Sequence, residues 1–506
     1  MLKSWLSCPR LAMPLAVLAA TFVLGSPASR ADTKPNIIYI LADDLGWGEL
    51  GCYGQTKIRT PNLDRMAAEG IRFTQHYSGS PVCAPSRCVL MTGLHGGHAH
   101  IRNNKSTPPE GQEPIPDEAL TIAEILKAQG YATGAMGKWG LGMVGTSGDP
   151  NRQGFDLFFG YNCQGHAHNF YPTYLWRNQQ RVPLDNPEFS SKQKLPEGAD
   201  PNDPASYKPY SGKQYSADLC MQEALQFVRA NRARPFFLFV PTTIPHLALQ
   251  VPEDSLAEYQ GQWEDPPYTG NKGYLPHRTP RTAYAAMVTR LDRYVGQIMA
   301  LVKELGLDQN TLIMFSSDNG PTYDRLGGSD SEFFRSAGPF SGLKGSVYEG
   351  GIRVPLIARW PGKIRPGQLS EHISAFYDVL PTLCEVAGAK IPRTDGISFL
   401  PTLLASGPQK THEFLLWEFY GYGGQQAVRM GDWKGIRLNC DKDRNGPLKL
   451  YNLKTDIGEA QDVAAEHPEI VQKIAALMVS EHADSPIFQF GAARKVKPAK
   501  AKKPTP

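Results

Sequence analysis

A cysteine, a proline and an arginine stand close together at positions 83–87, in the segment Cys-Ala-Pro-Ser-Arg. Pro85 lacks a backbone N–H and has a fixed φ, so it suits the first turn of a helix, and the apolar residues 89–91 would bury that helix. The segment therefore predicts a helix that begins at or just before Cys83. Backbone N–H groups and the helix dipole favour an anion at such an N-terminus, and Arg87 adds a fixed positive charge. These residues predict a binding site for a tetrahedral oxyanion.

Two predicted strands end in side chains that carry oxygen ligands. Residues 36–42 and 311–316 are apolar runs rich in β-branched residues, which is typical of strands buried on both faces of a sheet. Their ends supply Asp43, Asp44, Asp318 and Asn319. Each pair alone could cap a turn, but open α/β sheets place their ligands at the carboxyl ends of strands. Together with the cysteine segment these residues predict one cation, and oxygen ligands favour Ca²⁺ or Mg²⁺ over zinc.

The cysteine segment resembles the maturation signature of the formylglycine-dependent sulfatases, Cys-x-Pro-x-Arg followed here by Leu at position 90 and Thr-Gly at 92–93. Further blocks of this type I, arylsulfatase-like family of the alkaline phosphatase superfamily recur in order: Gly-Lys-Trp at 137–139, Pro-His at 245–246, and Lys-Gly with Glu-Gly-Gly-Ile-Arg-Val-Pro within 344–355. The resemblance implies a sulfatase whose Cys83 is oxidised to formylglycine by a formylglycine-generating maturation enzyme.

The resemblance also implies a role for each site residue. The hydrated aldehyde made from Cys83 would attack sulfur and form a covalent sulfate intermediate, with Arg87 favouring the anionic nucleophile. Lys138 and Lys344 would take up charge on the sulfuryl oxygens, and His246 would protonate the departing alcohol. One divalent cation, Ca²⁺ with Mg²⁺ as the alternative, would be bound by five residues: Asp43, Asp44, Cys83, Asp318 and Asn319.

One position departs from the family pattern. The family has Gly-Lys-Trp-His, in which the Lys and the His both face the sulfate, but Gly140 stands at the place of the His in this chain. The departure predicts a rearranged pocket. Other histidines are candidates to replace the missing side chain: His95, His98, His100, His166 and His168.

Residues 145–218 form a long segment rich in Gly, Pro, Asn, Gln and aromatic residues, without clear periodicity. Such a segment is either a functional insertion or an ordinary surface loop. Aromatic rings such as Tyr174 and Trp176, with amides and imidazoles nearby, would suit a sulfated carbohydrate. The predicted substrate-binding residues lie here and in the loop before Lys344: His166, His168, Asn169, Asp324 and Arg325.

The order of predicted elements indicates an α/β fold. Apolar strands alternate with helical patterns up to about residue 394, and short strands with one helix follow. The prediction is a large, mostly parallel central sheet flanked by helices, as in alkaline phosphatase, with a smaller C-terminal α+β domain. Residues 32–394 would form the catalytic domain and residues 395–490 an antiparallel-sheet subdomain.

Both termini have distinctive compositions. Residues 1–31 read as a signal peptide, with basic residues, a short apolar core and a small-x-small exit, so the protein is expected to be exported to the periplasm or secreted. Residues 491–506 read as a basic, disordered tail. The formal charge of +4 comes from these two segments, and without them it is −5, which argues against nucleic-acid binding. No stretch is long enough for an integral membrane segment.

Two alternatives fit the same residues. The first is a phosphomonoester or phosphonate hydrolase of the same superfamily, because sulfate and phosphate are similar in shape. The second is a sulfated-glycan binding protein in which Cys83 is never oxidised. The remaining cysteines support no particular disulfide pairing.

Overall fold

A sheet of eleven strands forms the centre of the protein in the computed structural model, which describes residues 34–491. The expected signal peptide and nearly all of the expected basic tail lie outside this range. The strands are β1 Asn36–Ala42, β2 Ile71–Tyr77, β3 Ser106–Thr107, β4 Gly111–Gln112, β5 Ala132–Lys138, β6 Leu157–Tyr161, β7 Tyr174–Arg177, β8 Gln180–Pro183, β9 Phe236–Pro241, β10 Thr311–Ser317, β11 Arg353–Arg359, β12 Gln368–Ser370, β13 Ser374–Ala375, β14 Leu415–Phe419, β15 Gln425–Met430, β16 Trp433–Leu438 and β17 Leu448–Asn452.

Ten α-helices accompany the strands within the described range. They are α1 Pro61–Ala68, α2 Cys83–Thr92, α3 Ile122–Ala128, α4 Ser216–Asn231, α5 Glu253–Leu256, α6 Pro280–Glu304, α7 Glu349–Ile352, α8 Val379–Ala387, α9 Leu400–Leu404 and α10 Pro468–Ser480. None of the helices between residues 34 and 491 has the length and apolar character needed to cross a membrane.

The large sheet is parallel at its centre, and antiparallel pairs flank this centre on both sides. The order is β12-β2-β11-β10-β1-β9-β5-β6-β7-β8, with β13 beside β2. Strands β10, β1, β9, β5 and β6 run parallel to one another, whereas β11 is antiparallel to β10 and β7 is antiparallel to β6. This confirms the predicted mostly parallel sheet. It also brings the carboxyl ends of the central strands to one edge.

Alternate residues of the central strands pack on opposite faces of this sheet. On one face Ile37, Tyr39 and Leu41 of β1 share a core with α2, α3 and α8. On the other face Ile38 and Ile40 share a core with α1, α4 and α6. Each such aliphatic side chain stabilises the fold by about 1.5–3 kcal/mol when fully buried. Both faces are therefore covered, as the continuous apolar runs predict.

A second, four-stranded antiparallel sheet follows in the order β14-β15-β16-β17. One face packs against α10, through residues such as Val428 and Ile474. The other face, which includes Trp417 and Ile436, shares the core of the large sheet. The C-terminal domain with a small antiparallel sheet is thus present. The proposed boundary at residues 394 and 395 stays a prediction.

Residues 145–218 contain more regular structure than their composition indicates. Strands β6, β7 and β8 extend the large sheet, and a 3-10 helix follows at Pro204–Tyr210. Short strands of mixed polarity carry little periodic signal, which explains why they were not predicted. The seven cysteines within the described range are all free thiols.

Candidate active site

Four adjacent parallel strands each deliver polar side chains to the same edge of the sheet. Strand β1 is followed by Asp43 and Asp44, and β10 leads to Asp318. Lys138 is the last residue of β5, and His246 lies just beyond β9. Because these strands are neighbours in the order β10-β1-β9-β5, residues far apart in sequence meet here.

Cys83 is the first residue of α2, as predicted from the position of Pro85 in the first turn. All ten residues of this helix are buried, and Cys83 is only 1% exposed. Its Sγ lies 3.5 Å from Asp43 Oδ1 and 3.6 Å from Lys344 Nζ. Burial raises the pKa of the Cys83 thiol to about 12, although Lys138 and Lys344 act in the opposite direction. The thiol itself is therefore neutral and a weak nucleophile near neutral pH.

Arg87 lies one turn further along α2 and joins the helix to the strand ends. Its Nε and one terminal nitrogen donate to Asp318 Oδ2 at 3.0 and 2.8 Å. The same terminal nitrogen is 3.6 Å from Asp43 Oδ2, and the other one donates to the backbone carbonyl of Lys138. Such a multidentate guanidinium fixes the relative positions of the helix and strands β1, β5 and β10.

Two lysines pair with the two adjacent aspartates. Lys138 Nζ lies 2.7 Å from Asp43 Oδ2, and Lys344 Nζ lies 2.8 Å from Asp44 Oδ2. Both lysines are less than 10% exposed. Burial alone would raise the pKa of Asp43, but Lys138, His246 and Arg87 together hold it well below its usual value. The pKa of Asp44 is raised by burial despite its contact with Lys344.

His246 faces the same carboxylates. Its Nε2 lies 3.5 Å from Asp44 Oδ2. Its Nδ1 lies 2.5 Å from the carbonyl oxygen of Leu247, which can only accept, so Nδ1 carries a hydrogen and Nε2 is the nitrogen left to exchange a proton. Burial, followed by Lys344, lowers the pKa of His246 well below its usual value. With this distribution of charges the imidazole is neutral near neutral pH, and Nε2 carries a proton only after it has taken one up.

The ligand set fits a hard divalent cation. Asn319 donates through Nδ2 to Asp44 Oδ1 at 2.8 Å, while its buried Oδ1 has no hydrogen-bond partner among residues 34–491. The carboxylates of Asp43 and Asp44 form one group of possible metal ligands with Cys83 and His246, and Asp318 accepts from the backbone N–H of Asp44 at 3.1 Å. Burial, and after it the neighbouring Asp43, raise the pKa of Asp318 to about 6. An unpaired carbonyl oxygen beside several carboxylates is the chemistry that Ca²⁺ and Mg²⁺ prefer.

Of the histidines considered as replacements at position 140, two lie on the segment that follows β6 and three lie on the segment before β3. The ring of His168 stacks on that of His246, with centroids 4.7 Å apart. His166 is on the same segment as His168, and its Nδ1 lies 3.3 Å from Glu110 Oε1. By contrast, His95 and His98 contact Asp395, and His100 lies near Glu113 and Arg102.

The remaining predicted substrate residues have contacts within the protein. The side chain of Asn169 accepts from the backbone of Tyr171 at 2.9 Å and so shapes its own turn. Arg325 is about half exposed and forms ion pairs with Asp324 and Asp330, at 3.3 and 2.9 Å. The rings of Tyr174 and Trp176, expected to stack on a sugar, lie beneath the guanidinium of Arg181. Their role in substrate binding stays a prediction.

Three residues near the site were not predicted from the sequence. Gln425, on β15 of the small sheet, donates to the carbonyl of Gly345 at 2.8 Å and accepts from Val347 N at 3.2 Å, so it fixes the turn that carries Lys344. Asn162 and Gln164 are buried beside Gly140. Their only sequence signal is that they are polar residues after an apolar strand.

The fold and the site define a hydrolase of the alkaline-phosphatase-like class. A family model described as sulfatase matches residues 35–389, and a second, described as N-sulphoglucosamine sulphohydrolase, C-terminal, matches residues 343–484. The chain belongs to the sulfatase family and is a sulfuric ester hydrolase.

Individual relatives agree with this assignment. Steryl-sulfatase of Mus musculus is 33% identical, over 91% of this chain and 85% of the relative. N-acetylgalactosamine-6-sulfatase of Rattus norvegicus is 36% identical, over 77% of this chain and 69% of the relative. Among solved structures, Ps i-CgsB in complex with k-i-k-neocarrahexaose has a TM-score of 0.71 and 28% identity, over 91% of this chain and 94% of that one.

Proposed function

We propose that the protein hydrolyses sulfate esters of a sulfated carbohydrate, with a formylglycine made from Cys83 and one Ca²⁺ or Mg²⁺. The observation that carries the proposal is the charge arrangement around Cys83. Three buried cations, on Arg87, Lys138 and Lys344, surround the start of α2. Such a set of fixed positive charges suits a sulfate ester.

Asp43, Asp44, Asp318 and Asn319 would hold the cation. When Cys83 carries the aldehyde, its hydrate supplies the attacking hydroxyl, and the cation supplies Lewis acidity. Lys138 and Lys344 place their ammonium groups where they can stabilise charge on the sulfuryl oxygens. His246, once protonated on Nε2, gives that proton to the departing alcohol oxygen, because its Nδ1 is already committed to the carbonyl of Leu247. Arg87 fixes the position of α2 relative to the strand ends through its hydrogen bonds to Asp318.

The relatives support a carbohydrate over a sterol as the substrate, although both kinds of name occur among them. The segment that follows β6 runs beside the active site and is polar. It contains Asn162, Gln164, His166 and His168 within seven residues. A polar wall can hydrogen-bond sugar hydroxyl groups, whereas the fused rings of a sterol need apolar contacts. We further propose that the protein is exported, and that a formylglycine-generating enzyme acts on it.

The test combines mass spectrometry with substrate comparison. Protein made with a maturation enzyme is digested with trypsin, and the peptide of residues 73–87 is weighed. The aldehyde mass at Cys83 is expected, together with release of sulfate from N-acetylgalactosamine 6-sulfate.

Other results would point to other functions. Faster hydrolysis of an aryl phosphate than of an aryl sulfate would favour the phosphoester hydrolase. An unmodified thiol under conditions that convert another sulfatase, with binding of the sulfated sugar but no turnover, would favour a binding protein. Faster turnover of a steryl sulfate would refute the carbohydrate assignment.

A further inference from the structure

Asn162 and Gln164 are buried amide side chains with unmatched polar atoms. They are 0% and 5% exposed. Within residues 34–491, neither the oxygen nor the nitrogen of either carboxamide has a hydrogen-bond partner. Burying an unpaired amide typically costs about 1–3 kcal/mol per group. Two unpaired amides within three residues therefore point to partners outside the protein, either a bound ligand or ordered water.

Both amides lie beside the end of β5, where Lys138 enters the active site. The backbone N–H of Trp139 donates to Tyr161 O at 2.9 Å, and that of Gly140 donates to Asn162 O at 3.1 Å. Residues 162–164 thus run alongside residues 138–140. A few residues later the chain reaches His168, whose ring stacks on His246. The amides lie on the stretch of chain that connects the surroundings of Lys138 to those of His246.

Gln164 fills the space that a side chain at position 140 would need. A Cβ added to Gly140 would lie 2.6 Å from Gln164 Nε2 and 2.8 Å from Gln164 Oε1, closer than atoms can approach. Gly140 also has a φ of +88°, which disfavours a side chain there. The resemblance to sulfatases places a sulfate-facing imidazole at this position. In this chain a carboxamide from another strand end occupies that place.

We propose that Gln164 is a substrate-binding residue that donates hydrogen bonds to the oxygens of the sulfate ester. This inference rests on the proposed function, because it assumes that the ester binds beside Lys138. A carboxamide can donate without titrating, so it holds the sulfate but exchanges no proton. His246, with His168 stacked on it, then provides the imidazoles of the site. Gln164 thereby helps the site to recognise the sulfate group of the ester.

The test measures binding without turnover. A Cys83→Ala protein loaded with Ca²⁺ has no side-chain heteroatom to oxidise to the aldehyde, and its affinity for inorganic sulfate and for N-acetylgalactosamine 6-sulfate is measured by calorimetry. Gln164→Met keeps the length of the side chain but removes its hydrogen bonds. We expect it to weaken the binding of both ligands roughly tenfold or more, the usual effect of losing a hydrogen bond to a charged group. Gln164→Glu should weaken it further, by repelling the sulfate.

Stability and metal binding separate this role from a structural one. Because the amide has no protein partner, Gln164→Met should unfold at the same temperature as its parent or higher, and Ca²⁺ affinity should not change. The control is Gln472→Glu, which makes the same charge change on the exposed side of α10. Unchanged sulfate affinity in both Gln164 variants would overturn the inference while leaving the proposed function intact. A parent that binds neither ligand would overturn both.

Discussion

One side chain of the small sheet holds the turn that carries Lys344. Gln425 on β15 holds the turn that carries Lys344 by two hydrogen bonds, to Gly345 O and from Val347 N. The turn is tied on its other side by Gly345 N, which donates to Pro81 O at 2.8 Å, just ahead of α2. Gln425→Leu removes the first pair of bonds and leaves two buried backbone groups unpaired. The turn should then move away from the site.

The structure sets the size of the effect. Two lost hydrogen bonds should lower the free energy of unfolding by about 1–3 kcal/mol. If Lys344 lost its contact with the sulfuryl oxygens altogether, the transition state would lose about 2.7–4 kcal/mol, as for an oxyanion-hole donor. A displaced turn should cost part of that. We expect kcat to fall roughly tenfold to a hundredfold, with a smaller change in KM.

The adjacent residue provides a matched control. Gln426 is equally buried on the opposite face of β15, where it donates to Glu418 at 2.7 Å. Gln426→Leu should lower stability by a similar amount and leave kcat nearly unchanged. The assay is steady-state hydrolysis of an aryl sulfate, with the aldehyde content of each preparation measured by mass spectrometry. Equal kcat values for the two variants would refute the argument that Gln425 positions Lys344.

Three further predictions concern single side chains. Lys344→Ala should lower kcat by roughly tenfold or more, and an unchanged kcat would remove this residue from the mechanism. Asn319→Ala removes the unpaired carbonyl oxygen and should weaken Ca²⁺ binding by about tenfold or more in calorimetry; equal affinity would place the cation elsewhere. Burial raises the pKa of Glu459 to about 7 from 4.5, so this group favours the folded state below pH 4.5 and loses that contribution as pH rises towards 7. Glu459→Gln should therefore lose less stability than the parent between pH 5 and pH 7 in urea unfolding, and parallel curves would contradict this pKa.

The sequence predicted the parts of the site that lie at strand ends or on one helix. Apolar runs locate β1 and β10, and parallel strands bring their carboxyl ends together, so Asp43 and Asp318 could be paired without coordinates. Pro85 located the start of α2. In these cases local chemistry decides the structure, and the resemblance to a family supplied the roles.

The parts that escaped prediction depend on contacts between distant residues. Gln425 and Gly345 are 80 positions apart, and nothing in either segment indicates that they meet. Gln164 follows a strand of only five residues, and it fills a space that is open because Gly140 has no side chain. The hairpin of β7 and β8 consists of two four-residue strands at the edge of the large sheet, and strands this short carry little periodic signal.

Under the proposed function, the burial of Cys83 makes folding and chemical maturation compete in time. Asp44 and Asn319, which meet beside it, are separated by 275 positions, so the site closes only after most of the chain has been made. Before that moment the segment around Cys83 is an accessible peptide, and afterwards the thiol is 1% exposed on a helix with every residue covered. Under the proposed function, an enzyme that oxidises Cys83 must therefore reach the chain before strands β1 and β10 pair. A molecule that folds first keeps its thiol, so the yield of active protein becomes a matter of kinetics, set by which of the two processes is faster.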